Sequence, residues 1–324
     1  MMKIKNESIA ITSLFVYDWF QDHLFSSFCP QPPFQTPPFT PSIHGQIHSI
    51  YRRTINLLFD NQLFALQAAD SALSPISIIT MLPQTKFDSL NFSPNTSVTF
   101  QNNALIFSNA LTFNFKNTYI KNLTLNEKIA KESYYKLTSK INIPKEQEEY
   151  LTSLQKEILC VLQHQAFGSL ELLFVDKPHI NQSFFLDTAE KILTEVQTAI
   201  TNRSWCSAAL SLCRLIGLGT GLTPSGDDFL TGILAGLILC NLQHSQFSQS
   251  LHQLISLSLN NTNLISAAFL KCALKGQFSL AINHLLDNPK SHYIQKDFQQ
   301  IGHSSGIDTL CGIYFLLKNH HNIS

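Results

Sequence analysis

The chain has 324 residues, a formal net charge of zero, and 14% charged against 44% hydrophobic residues. This balance argues against nucleic acid or an anionic membrane as the main partner, because both select for basic patches. The length predicts two domains, since single cores rarely exceed about 250–300 residues. The seven cysteines include no CxxC pair, which fits a reducing cytoplasm and gives no zinc-ligand spacing.

Residues 1–43 are predicted to form an N-terminal segment with a Pro-rich arm, separate from the first domain. The apolar start contains Glu7 and Asp18 and no cleavage site follows it, so it is a poor signal peptide. Residues 30–41, PQPPFQTPPFTP, predict extended chain because proline lacks the N–H that helices and sheets need. The longest apolar run, residues 229–240, would span roughly 18 Å as a helix, too short for a bilayer core of about 30 Å.

Residues 44–143 are predicted to form an antiparallel β-barrel or β-sandwich. Short segments rich in Ile, Phe, Leu and Thr are separated by turn-forming residues such as Asn, Asp, Ser and Pro. Alternation is clearest in LTFNFKN, where Leu111, Phe113 and Phe115 share one face. The predicted strands are RTINLLFD, QLFALQAA, PISIITML, SVTFQNN, ALIFSNA and LTFNFKN.

Residues 144–324 are predicted to be all-α, with about eight helices. The first of them, PKEQEEYLTSLQKEILCVLQHQ, places apolar residues every three or four positions. The fold class is therefore α+β, with the β domain first and the helical domain second. Histidines in this half, including His320 and His321, show no metal-ligand spacing and are assigned no role.

Two stretches of the helical domain share the pattern S-G-x-D-x-L-x-G. They are GLGTGLTPSGDDFLTG (residues 217–232) and GHSSGIDTLCG (residues 302–312). Each serine followed three positions later by aspartate is typical of a capping box. In a purely structural interpretation, the two stretches are the capped starts of buried helices. The additional Asp227 and the glycines of GLGTG exceed what a cap requires.

In a functional interpretation, the two helix N-termini converge on an anion pocket whose acids hold Mg²⁺ or transfer protons. No protein metal-ligand set is assigned. The predicted catalytic residues are Asp227, Asp228, His303 and Asp308. The predicted substrate-binding residues are Gly219, Thr220, Gly221, Thr223, Ser225, Gly226, Ser304, Ser305, Gly306, His48 and Arg52.

Several segments resemble the AllH-type family over about residues 44–318. They are GLGTGLTPSGDDFLTGILAGL, TNLISAAFLKCALKGQFSLAINHLL and IGHSSGIDTLCGIYFLL, with GQIHSIYRRTINLLF near the N-terminus. The resemblance implies a subunit of oxamate carbamoyltransferase that acts beside an FdrA-like subunit and another partner. It also implies a place in allantoin breakdown, where oxalurate and phosphate are interconverted with oxamate and carbamoyl phosphate.

Three hypotheses about function remain open on the sequence. In the first, the chain is a carbamoyltransferase-type subunit that binds carbamoyl phosphate, phosphate or a small carboxylate at the two helix N-termini. In the second, it is a non-catalytic assembly or regulatory subunit. In the third, it is a stand-alone phosphate-binding enzyme, although it lacks the Lys-Ser/Thr of a P-loop.

Overall fold

The structure, a computed structural model, describes residues 5–26, 40–108, 111–125, 143–164, 169–175 and 184–323. The chain divides into two compact units, residues 1–123 and 124–324. The predicted boundary lay about 20 residues later, and residues 126–142 between the two positions fall outside the described ranges, as do residues 30–39 of the Pro-rich arm. Within the described part of the chain, no helix is both long and apolar enough to cross a membrane.

The first unit is a closed β-barrel with one additional strand. Nine strands form a sheet in the order β5-β4-β3-β2-β6-β7-β8-β1-β9, and pairing of β1 with β5 closes eight of them into the barrel. The elements are β1 (Lys5–Ser13), α1 (Leu14–Ser26), β2 (Ser42–Ile50), β3 (Thr54–Phe59), β4 (Gln62–Gln67), β5 (Ser77–Thr80), α2 (Gln84–Asp88), β6 (Ser97–Gln101), β7 (Ala104–Phe107), β8 (Leu111–Asn114) and β9 (Tyr119–Lys121).

Local turn chemistry accounts for the hairpins of the barrel. Asp60-Asn61 joins β3 to β4 and Asn102-Asn103 joins β6 to β7, and all four residues have positive φ. Two-residue loops with positive φ match the twist of antiparallel strands, and Asn and Asp tolerate this conformation best after glycine. The DN and NN dipeptides therefore mark these turns as predicted.

Two sequence predictions for this unit need correction. Residues 5–13, which were placed outside the first domain, form strand β1 of the barrel. The sheet is also mixed and not purely antiparallel, because β1–β8, β1–β9 and β4–β5 are parallel pairs. Parallel partners cannot be joined by a short hairpin turn, so none of these three pairings leaves a hairpin signal in the sequence.

Aromatic packing anchors helix α1 to the barrel. Phe20 is fully buried, and its ring centroid lies between 4.3 and 6.3 Å from those of Phe59, Phe64, Phe100 and Phe115. Rings at these separations contribute attraction beyond the burial of their area. The N-terminal helix is thus part of the core of this unit.

The second unit is helical, as predicted, with nine α-helices among the described residues. The segment SHYIQKDF forms one helix that the sequence reading missed. The elements are α3 (Ile143–Gln163), a 3₁₀ turn (Leu170–Leu173), α4 (Phe184–Thr201), α5 (Trp205–Cys213), α6 (Ser225–Leu239), α7 (Gln246–Ser258), a 3₁₀ turn (Leu259–Asn261), α8 (Leu264–Leu274), α9 (Leu280–His284), α10 (Ser291–Phe298) and α11 (Ser305–Ile323).

Helices α6 and α11 form the centre of the second unit. Thirteen of the 15 residues of α6 and 14 of the 19 residues of α11 are buried, and both helices are apolar around most of their circumference. A helix that is hydrophobic on all sides belongs inside a core. The two S-G-x-D-x-L-x-G motifs begin these two central helices.

Candidate functional site

The two motif helices pack against each other through reciprocal glycine contacts. A Cβ atom on Gly232 would lie 2.0 Å from the carbonyl oxygen of Thr309, and one on Gly312 would lie 2.0 Å from that of Phe229. Thr309 and Phe229 occupy equivalent positions in the two motifs, so the contacts repeat as they would about a two-fold axis. Gly236 faces Leu316 one turn later, which shows that the helices run in the same direction.

Because α6 and α11 run in the same direction, their N-termini meet at one end. The hydroxyl oxygens of Thr223 and Ser305 lie 2.7 Å apart across 82 positions of sequence. The predicted meeting of the two motif loops therefore occurs. Parallel helices also bring two positive dipole ends together, which is a favourable environment for carboxylates.

The aspartates of the motifs interact across the helix pair. The hydroxyls of Thr223 and of Ser305 on α11 lie near Asp228 of α6 and act to lower its pKa. The hydroxyls of Ser225 on α6 and of Ser304 act in the same way on Asp308 of α11. Each acid thus lies near the serine that begins the other helix.

The predicted capping box does not form at α6. Ser225 is the first residue of the helix, Pro224 occupies the cap position, and no side chain caps this end. Nor are the amides of the two motif glycines available to an anion, because Gly226 N–H donates to Leu218 O and Gly306 N–H donates to Ile301 O.

Close backbone packing explains why glycine occupies positions 226 and 306. A Cβ would lie 2.0 Å from Leu215 O in the first case and 2.1 Å from Phe298 O in the second. The glycines thus let the preceding turn of chain pack against each helix start. Their predicted role as anion donors is replaced by this packing role, and the polar groups of the site are hydroxyls and carboxyls.

Ser169 completes the site from a third segment. Its hydroxyl donates to Asp308 Oδ1 at 2.7 Å and lies 3.2 Å from the hydroxyl of Ser225. The Leu170 N–H donates to the same Oδ1 at 3.2 Å. Sequence reasoning missed Ser169, because an isolated serine before a short 3₁₀ turn has no motif to distinguish it. We call Asp228, Asp308, Thr223, Ser225, Ser305 and Ser169 the paired-aspartate site.

One oxygen of each paired aspartate has no hydrogen-bond partner. Asp228 Oδ2 and Asp308 Oδ2 are both enclosed, and neither is bonded to any of the described residues. Asp228 is half-buried as a whole residue, whereas Asp308 is fully buried. Buried polar atoms without a partner are rare and call for a proton, a water molecule or a ligand.

Burial shifts the proton affinity of both acids upward. It raises the pKa of Asp308 to about 6, although hydrogen bonds from Ser169 and Ser225 oppose the shift. Burial, reinforced by the charge of Asp308, raises the pKa of Asp228 well above its usual value. Two neighbouring carboxyl groups with raised pKa values are suited to share or transfer a proton.

Both carboxylate oxygens of Asp227 accept hydrogen bonds, and its predicted catalytic role stays a prediction. Its Oδ1 accepts from the Gly217 N–H at 2.9 Å, and its Oδ2 accepts from Thr262 at 2.5 Å and Ser266 at 2.6 Å. With both oxygens engaged, Asp227 ties the glycine loop and the start of α8 to α6. Thr262 is thus an Asp227 partner, while Asn263 caps α8.

The other predicted residues of the helical unit lie in the loops that precede α6 and α11. Gly219 has φ of 122° in the loop before α6, and Thr220 and Gly221 are exposed there. His303 is also exposed. His48 and Arg52 belong to the barrel unit, where His48 Nδ1 lies 3.0 Å from the hydroxyl of Ser49. Roles for these residues in binding or catalysis stay predictions.

Comparison with protein families gives two matches. Residues 215–317 match the model described as oxamate carbamoyltransferase subunit AllH. Residues 31–121 match the model of the AllH family N-terminal domain. Together the matches cover more than half of the chain and include both motifs. No solved structure matches the chain.

Proposed function

The chain belongs to the AllH family of oxamate carbamoyltransferase subunits, and on that premise we propose that its paired-aspartate site binds the small substrate of the multi-subunit enzyme. The observation that supports this proposal is the pair of enclosed, unpartnered oxygens on Asp228 and Asp308. A structural network would have no reason to leave both unbonded, since each missing partner costs about 1–3 kcal/mol.

The chemistry of the site fits a small molecule that carries an amide. Carboxylate oxygens accept hydrogen bonds from an amide NH₂, and hydroxyl groups donate to carbonyl or carboxylate oxygens. Oxamate has one amide and one carboxylate, and a carbamoyl group has the same NH₂ and carbonyl pair. Thr223, Ser225 and Ser305 are the hydroxyl groups placed between the two acids.

The two acids need not repel an anionic substrate. A carboxyl group whose pKa is raised holds its proton and donates a hydrogen bond to an anionic oxygen. The positive ends of α6 and α11 also favour negative charge at this end of the helix pair. Hydroxyls, a protonated carboxyl and helix dipoles therefore replace the backbone amides that were expected to bind the anion.

Proton transfer gives each acid a task in carbamoyl transfer. When the amide nitrogen of oxamate attacks the carbamoyl carbon, a C–N bond forms, phosphate leaves, and the nitrogen gives up a proton. Asp308, with a pKa of about 6, is largely ionised at neutral pH and can accept that proton. Asp228, whose pKa burial raises well above its usual value, keeps its proton and donates to the substrate oxygen.

A second candidate is an assembly subunit without a reacting site. It is favoured by the extensive structural use of the motifs, in which the glycines permit close packing and Asp227 is saturated with hydrogen bonds. In that case Asp228 and Asp308 only balance two converging helix dipoles, and substrate binding belongs to partner subunits.

Calorimetry on the chain assembled with its partner subunits tests these alternatives. Oxamate and carbamoyl phosphate are titrated against the wild type, Asp228→Asn and Asp308→Asn. Asp297→Asn is the matched control, because the Asp297 carboxylate pairs with His284 of α9. We expect the dissociation constant to rise at least about tenfold, equal to about 1.4 kcal/mol, in Asp228→Asn and in Asp308→Asn, and to stay unchanged in the control. Unchanged binding and turnover in both would establish the assembly role.

A further inference from the structure

A second cluster of ionisable side chains lies where α3 packs against the C-terminal turn of α11. His320 Nε2 is 3.4 Å from Glu148 Oε2, and His321 Nε2 is 3.0 Å from Glu148 Oε1. The ligand atoms of the three side chains all lie within 4.8 Å of one another. The two imidazole centroids are 3.9 Å apart. The cluster belongs neither to the two motifs nor to the paired-aspartate site.

The orientation of His320 sets which nitrogen faces the cluster. Its Nδ1 lies 2.6 Å from the carbonyl oxygen of Leu317, so Nδ1 carries the proton and donates it there. In a neutral imidazole, Nε2 then presents a lone pair toward Glu148. Either a second imidazole proton or a metal cation must therefore lie between these two acceptors. A backbone carbonyl that fixes the tautomer in this way is the usual partner of a metal-bound histidine.

We propose that Glu148, His320 and His321 form a binding site for a divalent cation of the Zn²⁺ class. Tetrahedral ligands at a metal–nitrogen distance of about 2.1 Å stand about 3.4 Å apart, close to the two separations above. Imidazole nitrogens favour Zn²⁺, Co²⁺ or Ni²⁺, whereas Mg²⁺ and Ca²⁺ prefer oxygen ligands only. The last turn of α11 also offers the negative end of its dipole to a cation.

The exposure of the three residues indicates an accessible site with one open position. The His321 side chain is 69% exposed, so the metal faces solvent and takes water as its fourth ligand. Because Glu148 lies on α3 and both histidines lie on α11, the ion links the two helices. Binding should therefore raise the melting temperature of this unit, as any ligand specific for the folded state does.

Metal titration of the full chain, first stripped with a chelator, tests the site. Zn²⁺ binding is measured by calorimetry, and Co²⁺ is used as a probe because tetrahedral nitrogen and oxygen ligation gives visible d–d absorption. We expect one equivalent to bind and the melting temperature to rise with Zn²⁺. Glu148→Gln and His320→Gln should each weaken binding at least about tenfold and abolish the Co²⁺ bands.

Two control variants make the result specific. His292→Gln removes a histidine elsewhere on the surface, and Cys206→Ser removes an exposed thiol, so both should bind as the wild type does. Circular dichroism checks that each variant is folded. If His320→Gln does not fold, His321→Gln replaces it, because His321 is exposed and its substitution should leave the fold intact. Absence of stoichiometric binding, or binding that survives Glu148→Gln and both histidine variants, would show that the cluster is an imidazolium–carboxylate pair only.

Discussion

The hydroxyl of Thr223 lies 2.7 Å from the hydroxyl of Ser305, and this contact joins the two motif loops directly. One of these hydroxyls donates to the other, and both lie near Asp228, whose pKa they act to lower. The three side chains form one small network, so removal of one member changes the environment of the others. Energetic coupling between the two loops is the measurable consequence.

A double-mutant cycle should detect this coupling. Thr223→Val and Ser305→Ala each remove one hydroxyl, and the double variant removes the contact entirely. We expect a coupling energy of about 1 kcal/mol in urea unfolding, within the range of neighbouring hydrogen-bonded residues. A parallel cycle with Thr194→Val in place of Thr223→Val serves as control, because Thr194 bonds only within α4. If the stability changes of Thr223→Val and Ser305→Ala simply add in the double variant, the contact between the two hydroxyls is contradicted.

The Gly232–Gly312 contact predicts unequal sensitivity to alanine along α6. Gly232→Ala places a methyl group 2.0 Å from the Thr309 carbonyl, and backbone on both sides prevents relief. It should lower the free energy of unfolding by about 3 kcal/mol. Gly236→Ala is the matched control, because its nearest neighbours are side-chain atoms of Leu316 that can move. Equal effects in urea unfolding would refute the close helix approach.

Substitution of Asp227 should lower the stability of the protein, whereas substitution of the adjacent Asp228 should lower substrate binding. Asp227→Ala leaves a backbone N–H and two hydroxyls without their acceptor, which should cost roughly 3 kcal/mol of stability. Asp228→Asn removes a carboxyl group whose pKa is raised on folding, so stability at neutral pH should not fall while substrate binding does. Urea unfolding and calorimetry separate the two outcomes. A reversed order would overturn the division into structural and binding acid.

Stability should fall as pH rises through the titration range of Asp308. The folded-state pKa of about 6 exceeds the unfolded value of 3.8, so the folded state binds more protons between these values. Stability then decreases with pH across this window, by about 3 kcal/mol for a shift of this size. Urea unfolding from pH 4 to 7 should show this slope in the wild type and a shallower one in Asp308→Asn. Identical slopes would contradict the raised pKa.

Substitution of Phe20 tests how much the packing of α1 contributes to the stability of the barrel unit. Phe20→Ala removes a fully buried ring that packs on four others and should cost about 3–5 kcal/mol. Phe184→Ala is the matched control, because Phe184 is 86% exposed and its loss should change stability by less than about 0.5 kcal/mol. If removal of Phe20 had no more effect than the control, α1 would not be part of the core.

Local sequence patterns predicted the strands, turns and helices of this protein better than they predicted which strands pair with each other. Alternation marked the strand at Leu111–Asn114, and paired Asn and Asp residues marked the hairpin turns. The strand at Lys5–Ser13 escaped notice because its neighbours, β5 and β8, lie far away in the sequence. Parallel register depends on those distant contacts, which no window of neighbouring residues contains.

The same distinction applies to the site. Repetition of S-G-x-D-x-L-x-G indicated that two helix starts act together, and the structure brings them together. A capping box is a rule about one helix, so it paired Asp228 with Ser225, whereas the hydroxyls that act on the pKa of Asp228 belong to Thr223 and to Ser305 of the other motif. Asp227 looked like the surplus acid only because its donors are distant in sequence: Ser266 lies in α8 and Thr262 just before it.

The repeated glycine contact between α6 and α11 has a consequence for how the two halves of the site can change. A symmetric homodimer must place identical groups on both sides of its axis. Here one polypeptide supplies both sides, so mutation can alter either alone. Asp308 is covered by Ser169 while Asp228 stays half-buried, so the two equivalent carboxyl groups differ in their access to solvent and in their hydrogen-bond donors.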